Sequence, residues 1–310
     1  MSGLSVQFFV KNIGITWDKF LSWKARYGKV NAHNGKIPRD HWLEAWEVDK
    51  ILEFYKDNEE NGYRAITYMM MDKDVVAVSA ATTYRVLKNA GYLSNWNKKV
   101  SKKGTGYVQP RAAHQEWHID VSHINIAGTF YYLTSVLDGY SRSIVEWDIK
   151  ESAKTDDIEI VIQKALEKSA PEIKPRIISD NGPQFTAKEF KNFIRKTGMT
   201  HVRTSPYYPQ SNGKLERFHK TLKELCIRPG SPISLDDAKR LVHDFVEFYN
   251  NERLHSSIGY ITPNDKLLGN EKQIFEARDK KLEAARLKRK MARENSLSTI
   301  SVVQQTAMGL

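Results

Sequence analysis

The chain has one thiol, Cys226, in 310 residues. A disulfide needs a partner and a cysteine-rich zinc site needs several, so neither can be built; the lone cysteine points to a reducing compartment. Long apolar runs are missing too. The first apolar cluster, Val6 to Val10, is interrupted by Gln7 and followed by Lys11, so neither a secretory leader nor a membrane span is expected. An acidic excess is also absent. Lys and Arg number 48 against 37 Asp and Glu, a net +11. The surplus sits at the flanks: residues 1–105 carry 17 basic against 11 acidic groups, 106–270 carry 22 against 21, and 271–310 carry 9 against 5. Ends that are basic around a balanced middle suit a core held on a polyanion, since Lys and Arg contacts to phosphate supply most nonspecific nucleic-acid affinity. An ordinary solvated basic surface would give the same total.

What is present centres on Ile177 to Lys223. Ile177-Ile178-Ser179-Asp180-Asn181-Gly182-Pro183 reads as a short apolar strand delivering a carboxylate into a turn. Ser205-Pro206-Tyr207-Tyr208-Pro209-Gln210-Ser211-Asn212-Gly213 reads as a loop running into a helix that carries Glu216. A third acid, Asp120, lies in the strand-like run Trp117 to His123. Three carboxylates from separate elements are what a pair of hard divalent cations requires. Two such ions about 3.5–4 Å apart would stabilise the attacking and leaving oxygens of an in-line phosphoryl displacement.

Asp120, Asp180 and Glu216, the last two 36 positions apart, resemble the DDE triad of the retroviral-integrase superfamily, most nearly bacterial insertion-sequence transposases of the IS-three type. The surrounding Ser179-Asp180-Asn181-Gly182, Ser205-Pro206-Tyr207 and Gln210-Ser211-Asn212-Gly213-Lys214-Leu215-Glu216 are similar to that family's signatures, as is Phe248-Tyr249-Asn250-Asn251-Glu252-Arg253-Leu254-His255-Ser256. The resemblance spans about Glu116 to Leu268. It implies an RNase H-like core in which Asp120, Asp180 and Glu216 are catalytic and bind Mg²⁺ or Mn²⁺, two ions per site. It further implies that Lys220 and Lys223, on the Glu216 face at +4 and +7, contact the DNA end, and that Tyr207 and Gln210 border the site. The implied partners are double-stranded DNA, both transposon ends and target, and further copies of the chain as dimer or tetramer; no membrane is involved. The expected location is the bacterial cytoplasm, at the nucleoid.

Periodicity places this core, residues 114–269, after an all-α region, 1–97, and a basic linker, 98–113, in which Lys98 and Lys99 could track phosphates. Thr16 is read as capping a helix through Trp17, Phe20, Leu21, Trp23 and Tyr27, ended by Gly28. A helix follows over Val48 to Tyr55, then one from Arg64 to Met71, and Ser79 caps Ala80 to Ala90. The last pair resembles the helix-turn-helix modules that precede DDE cores. Ala80, Tyr84 and Leu87 would then pack inward, with Thr82, Arg85, Lys88 and Asn89 presented to DNA. In the core, strands are read at Trp117–His123, Phe130–Leu137, Ser143–Ile149, Arg176–Ser179 and Met199–Arg203, with helices between and after the later ones. That order predicts an α/β fold, a mixed sheet with helices on its faces. Glu116 and Asp148 read as surface acids, Asp138 as a hairpin acid, and Lys214 and Arg217 as solvated. Residues 270–310 form a basic tail, helical over Gln273 to Asn295, with Arg286, Lys288, Arg289, Lys290 and Arg293 suited to phosphates and the last fifteen residues disordered.

The function expected is a DNA transposase or integrase that binds transposon ends, hydrolyses a strand to expose a 3′-hydroxyl, and joins it to DNA by metal-dependent strand transfer. The alternatives are a structure-selective or RNase H-type nuclease, which stops at hydrolysis, and a binding-only repressor derived from a transposase, which would not need the acids.

Overall fold

The computed structural model describes residues 5–28, 42–93, 109–169, 172–204 and 213–307. The chain divides into two compact units, residues 1–49 with 282–310, and residues 50–281. In the first unit, α1 (Val6–Asn12) is capped by Ser5, whose side chain accepts from the Phe8 amide, and α2 (Trp17–Arg26) begins after Thr16. Trp17, Leu21, Trp23 and Tyr27 stay exposed, so the α2 periodicity is helical without serving a core. A buried ion pair ties this unit together: Arg289 Nε donates to both Glu47 oxygens at 3.0 and 2.9 Å. Arg293 reaches Glu44 at 3.5 Å and donates to the Trp42 carbonyl. The basic tail is therefore partly internal, which corrects Arg289 and Arg293 as solvent-facing phosphate contacts: an enclosed guanidinium is costly to desolvate unless a carboxylate pairs with it, and here Glu47 and Glu44 do.

Among the described residues, α3 (Ala45–Lys56), α4 (Tyr63–Asp72) and α5 (Ala80–Asn89) follow α2 and precede the sheet. Ser79 caps α5 by accepting from the Thr82 amide, as its residue type favours. α4 and α5 meet through buried Ile66, Met70 and Leu87 and a Thr67 to Thr83 hydroxyl bond of 2.8 Å. Thr83, not Tyr84, takes the inward position; Tyr84 is 39% exposed and lies against Tyr63. Thr83 and Leu87 stand four apart and so share one face.

The sheet is built from β1 (Glu116–Ile126), β2 (Thr129–Asp138), β3 (Ile144–Lys150), β4 (Arg176–Ser179) and β5 (Thr200–Arg203), in the order β3-β2-β1-β4-β5. The first three are antiparallel neighbours, while β4 runs parallel to β1 and β5 parallel to β4. Trp117, Ile119 and Val136 point to one face, packing on α6 (Thr155–Lys168), α7 (Pro183–Thr186) and α8 (Lys188–Thr197). Ile124, Ile126, Leu133 and Leu137 point to the other, packing on α9 (Gly213–Leu222) and α10 (Leu235–Asn251). Both faces being covered, this is an α/β core built on a mixed sheet, the architecture that the resemblance implies. The β2–β3 turn is drawn tight: Gly139 donates its amide to the Glu116 carbonyl at 2.8 Å, and a Cβ there would stand 3.1 Å from that oxygen. Asp138 organises the turn, buried and accepting from the His114 amide, the Ser141 amide and the Ser141 hydroxyl.

Beyond the core, α11 (Pro263–Leu267) leads into α12 (Glu271–Ala307). The sequence reading ends that helix at Asn295; it continues to Ala307, since no Gly or Pro interrupts it. Within the second unit Arg278 bonds both Asp72 oxygens at 2.9 and 2.6 Å and the Tyr260 carbonyl at 2.8 Å, and stacks on Tyr68. No helix among the described residues is long and apolar enough to cross a membrane.

Candidate active site

Strand parity places Asp120 on the sheet face covered by α9, with Ser135 opposite it on β2. The β1–β4 ladder runs at a constant offset of 60 residues, Glu116 opposite Arg176 and His118 opposite Ile178. Asp120 lies two residues beyond the last paired rung on β1, and Asp180 directly follows the carboxyl end of β4, the strand paired with β1. Asp180 Oδ1 accepts from the Gly182 amide at 2.9 Å, which holds the carboxylate over its turn.

Glu216 is exposed on the first turns of α9, whose other side buries Leu215, Phe218, His219 and Leu222. Glu216 and Asp120 line one depression of about 330 Å³, together with His219, Lys220, Lys223 and Glu224. Lys220 pairs with Glu224 at 3.8 Å, leaving the Glu216 carboxylate to the depression. Lys223 opens a π-helical segment, Lys223–Ile227, whose wider turn shifts the side-chain register beyond Leu222. Burial lowers the Lys223 ammonium pKa and the Asp120 charge opposes that shift.

His219 is the residue that sequence reasoning missed. It is buried, with Nδ1 3.5 Å from Asp120 Oδ2 and Nε2 3.2 Å from the Ser135 hydroxyl, so it links two strands to the acid. Its spacing of three from Glu216 was the available signal. Lys214, read as solvated, instead turns inward and donates to the Gly139 carbonyl at 3.0 Å; burial, with Arg142 nearby, brings its pKa down to about 7. Glu116, read as a surface acid, is buried beside Arg176. Asp148 is half-buried, 3.4 Å from Lys239. Their alternation placed them on the strand, but not which face a helix would cover.

Thr82, Arg85, Lys88 and Asn89 lie together on α5, with Arg85, Lys88 and Asn89 exposed and Thr82 half-buried. Lys98, Lys99, Tyr207 and Gln210 lie outside the described residues. By donor type Asp120, Asp180 and Glu216 suit a hard divalent cation. Among the described residues, however, no three Asp, Glu, His or Cys side chains stand close enough to grip one ion.

The integrase core domain family matches the chain in two consecutive stretches, residues 110–209 and 197–263. These enclose all five strands, Asp120, Asp180, Glu216 and the Phe248 to Ser256 motif. The chain belongs to the integrase-core family, among the insertion-sequence transposases. Relatives include a putative transposase, InsK, of element IS150 from Escherichia coli K12, 21% identical over 79% of this chain and 85% of that one. Another is the transposase of element IS904 from Lactococcus lactis, 25% identical over 54% and 70%. InsD of element IS2 from Escherichia coli is 28% identical over 66% and 73%. Among solved structures, a simian T-cell lymphotropic virus intasome aligns with a TM-score of 0.47 and 18% identity, over 70% of this chain and 74% of that one. The HTLV-2 integrase catalytic core in complex with magnesium aligns at 0.42 and 20%, over 51% and 99%. The activity class of this integrase-core chain is that of a transposase or integrase.

Proposed function

We propose that this chain binds the ends of a DNA element, hydrolyses one strand to expose a 3′-hydroxyl, and joins that hydroxyl to a second DNA. Asp120, Asp180 and Glu216 are the catalytic acids in this reading. The single observation that carries it is the meeting of Asp120 and Glu216 in one depression; Asp180, which follows β4, the strand paired with β1, supports it. The three carboxylates would hold Mg²⁺ or Mn²⁺, two ions per site; when bound, the cation supplies Lewis-acid stabilisation of charge at the reacting phosphate. The HTLV-2 relative is described with magnesium.

The chain's own residues do the rest. Lys220 and Lys223, on the rim, hold phosphates of the DNA end. His219, anchored on Ser135, holds the Asp120 carboxylate in orientation. Arg85, Lys88, Asn89 and Thr82 on α5 present donors of the kinds that read base edges and backbone. Lys98, Lys99, Tyr207 and Gln210 complete the DNA contacts in this reading. The domains proceed as helix-turn-helix region 1–97, linker 98–113, core 114–269 and tail 270–310. Two ends must be processed, so the working form is a homo-oligomer, dimer or tetramer, in the cytoplasm.

Incubating the chain with labelled end DNA and Mg²⁺ should give nicked and joined products. Asp180→Asn and Glu216→Gln should each lose both products by at least a thousandfold while retaining DNA affinity, as loss of transition-state charge stabilisation dictates. Nicking without joining would favour a nuclease; undiminished activity in either variant would refute the catalytic assignment.

A further inference from the structure

A second cleft, of about 970 Å³, opens on the other flank of α9 and shares Glu216, Lys220 and Glu224 with the depression around Asp120. One wall is the amino-terminal turn of α4, with Tyr63 and Arg64; the other is Arg217 on α9 with Arg253 and His255 of the Phe248 to Ser256 motif. Its charged lining is Arg64, Arg217, Lys220 and Arg253, with Glu60, Glu216 and Glu224. Burial holds the His255 pKa near 4, and Arg142, Arg253 and Arg217 all act on it in the same direction. Arg142 stands behind the lining, with Nε and Nη1 buried and without hydrogen-bond partners among the described residues. Glu60 is the acid acting on Arg253. Such a cluster of guanidinium groups selects phosphate.

The dimensions select further. A cleft of about 970 Å³ is ligand-sized, the scale of a nucleotide or two rather than of a duplex. Arginine beside tyrosine is how unpaired strands are held: phosphates on the cations, base faces on the rings. We propose that this cleft takes an unpaired DNA strand leaving the cut site, its phosphates on Arg64, Arg217 and Arg253 and a base against Tyr63. The proposal deepens, and rests on, the reading of Glu216 as a catalytic acid, because that residue forms the shared rim.

The test uses the full chain and three fluorescent probes: an oligothymidylate of about twelve nucleotides, within known single-strand site sizes, an end duplex carrying a single-stranded tail, and the same duplex blunt. Arg64 and Arg217 are exposed, so Arg64→Gln and Arg217→Gln should leave the thermal midpoint unchanged. Each should lower the slope of log affinity against log salt for the oligothymidylate and the tailed duplex by about 0.7, one lost phosphate contact on a single strand. Tyr63→Ala should weaken both by about tenfold, with Tyr63→Phe restoring them. Blunt-duplex affinity should not move. Wild-type single-strand binding in all three variants, or an equal loss on the blunt probe, overturns the proposal. Glu216→Gln keeps the two readings apart: it should abolish cleavage while holding the oligothymidylate as well as, or better than, wild type.

Discussion

Asp120 shows how one side chain is placed by several independent restraints. Its strand parity turns it toward α9, its Oδ1 accepts from the Val121 amide at 3.0 Å, and its Oδ2 faces His219. His255 illustrates the opposite case, a group whose surroundings disfavour its charge. Its pKa falls from 6.5 to about 4, first through burial and then through three arginines. Between these values the unfolded chain takes up a proton that the folded chain refuses, so this group's contribution to stability is complete above about pH 6.5 and is lost progressively as pH falls toward 4. Urea midpoints taken across that window should show wild type losing about 1–3 kcal/mol more than His255→Gln. Parallel curves for the two proteins would count against this environment.

At the level of elements, the edge of the sheet is closed by a side chain. β3 is an edge strand, and Asn250 on α10 donates to the Ile144 carbonyl and accepts from the Ile144 amide, both at 2.9 Å. The amide side chain thus imitates a neighbouring strand for one residue, which also limits edge pairing. Asn250→Leu should cost about 2–4 kcal/mol, because two buried backbone groups lose their partners, and should raise amide exchange at Ile144 well above that at Leu133. An Ile144 amide as protected as before would show that water or a neighbour replaces the side chain. The motif around Asn250 is legible in the sequence, but its division of labour is not. One residue mends the sheet, while Arg253 and His255, three and five positions on, line a cleft.

At the scale of the whole molecule, α12 supplies the long-range ties of each compact unit. In the unit of residues 1–49 and 282–310, Arg289 and Glu47 stand 242 positions apart and are 6% and 5% exposed. Removing one member strands a buried charge, so Glu47→Ala should destabilise that unit by about 3–5 kcal/mol. Amide exchange over residues 45–49 is the suitable measurement, since a chain with two units need not unfold in one step; unchanged exchange would mean the arginine finds water or another acid. A charge count over residues 271–310 cannot reveal this, because it assigns the same sign to a buried arginine and a phosphate contact.

The sequence alone determined the order and kind of the elements, the mixed sheet and the three acids, because these depend on local signals: periods of 2 and 3.6, caps such as Ser79, turns such as Asp138-Gly139, and linked motifs. It also named the face of α9 that carries Glu216 and Lys220, since helical spacing is arithmetic, though not the π-helical turn that begins at Lys223. Tertiary structure alone decided what covers each face. His219 became the neighbour of Asp120, Glu116 and Lys214 turned inward, Thr83 took the place expected of Tyr84, and arginines from three separate segments gathered around His255. Those outcomes depend on contacts between residues tens to hundreds of positions apart, and a pattern read along the chain carries no term for them.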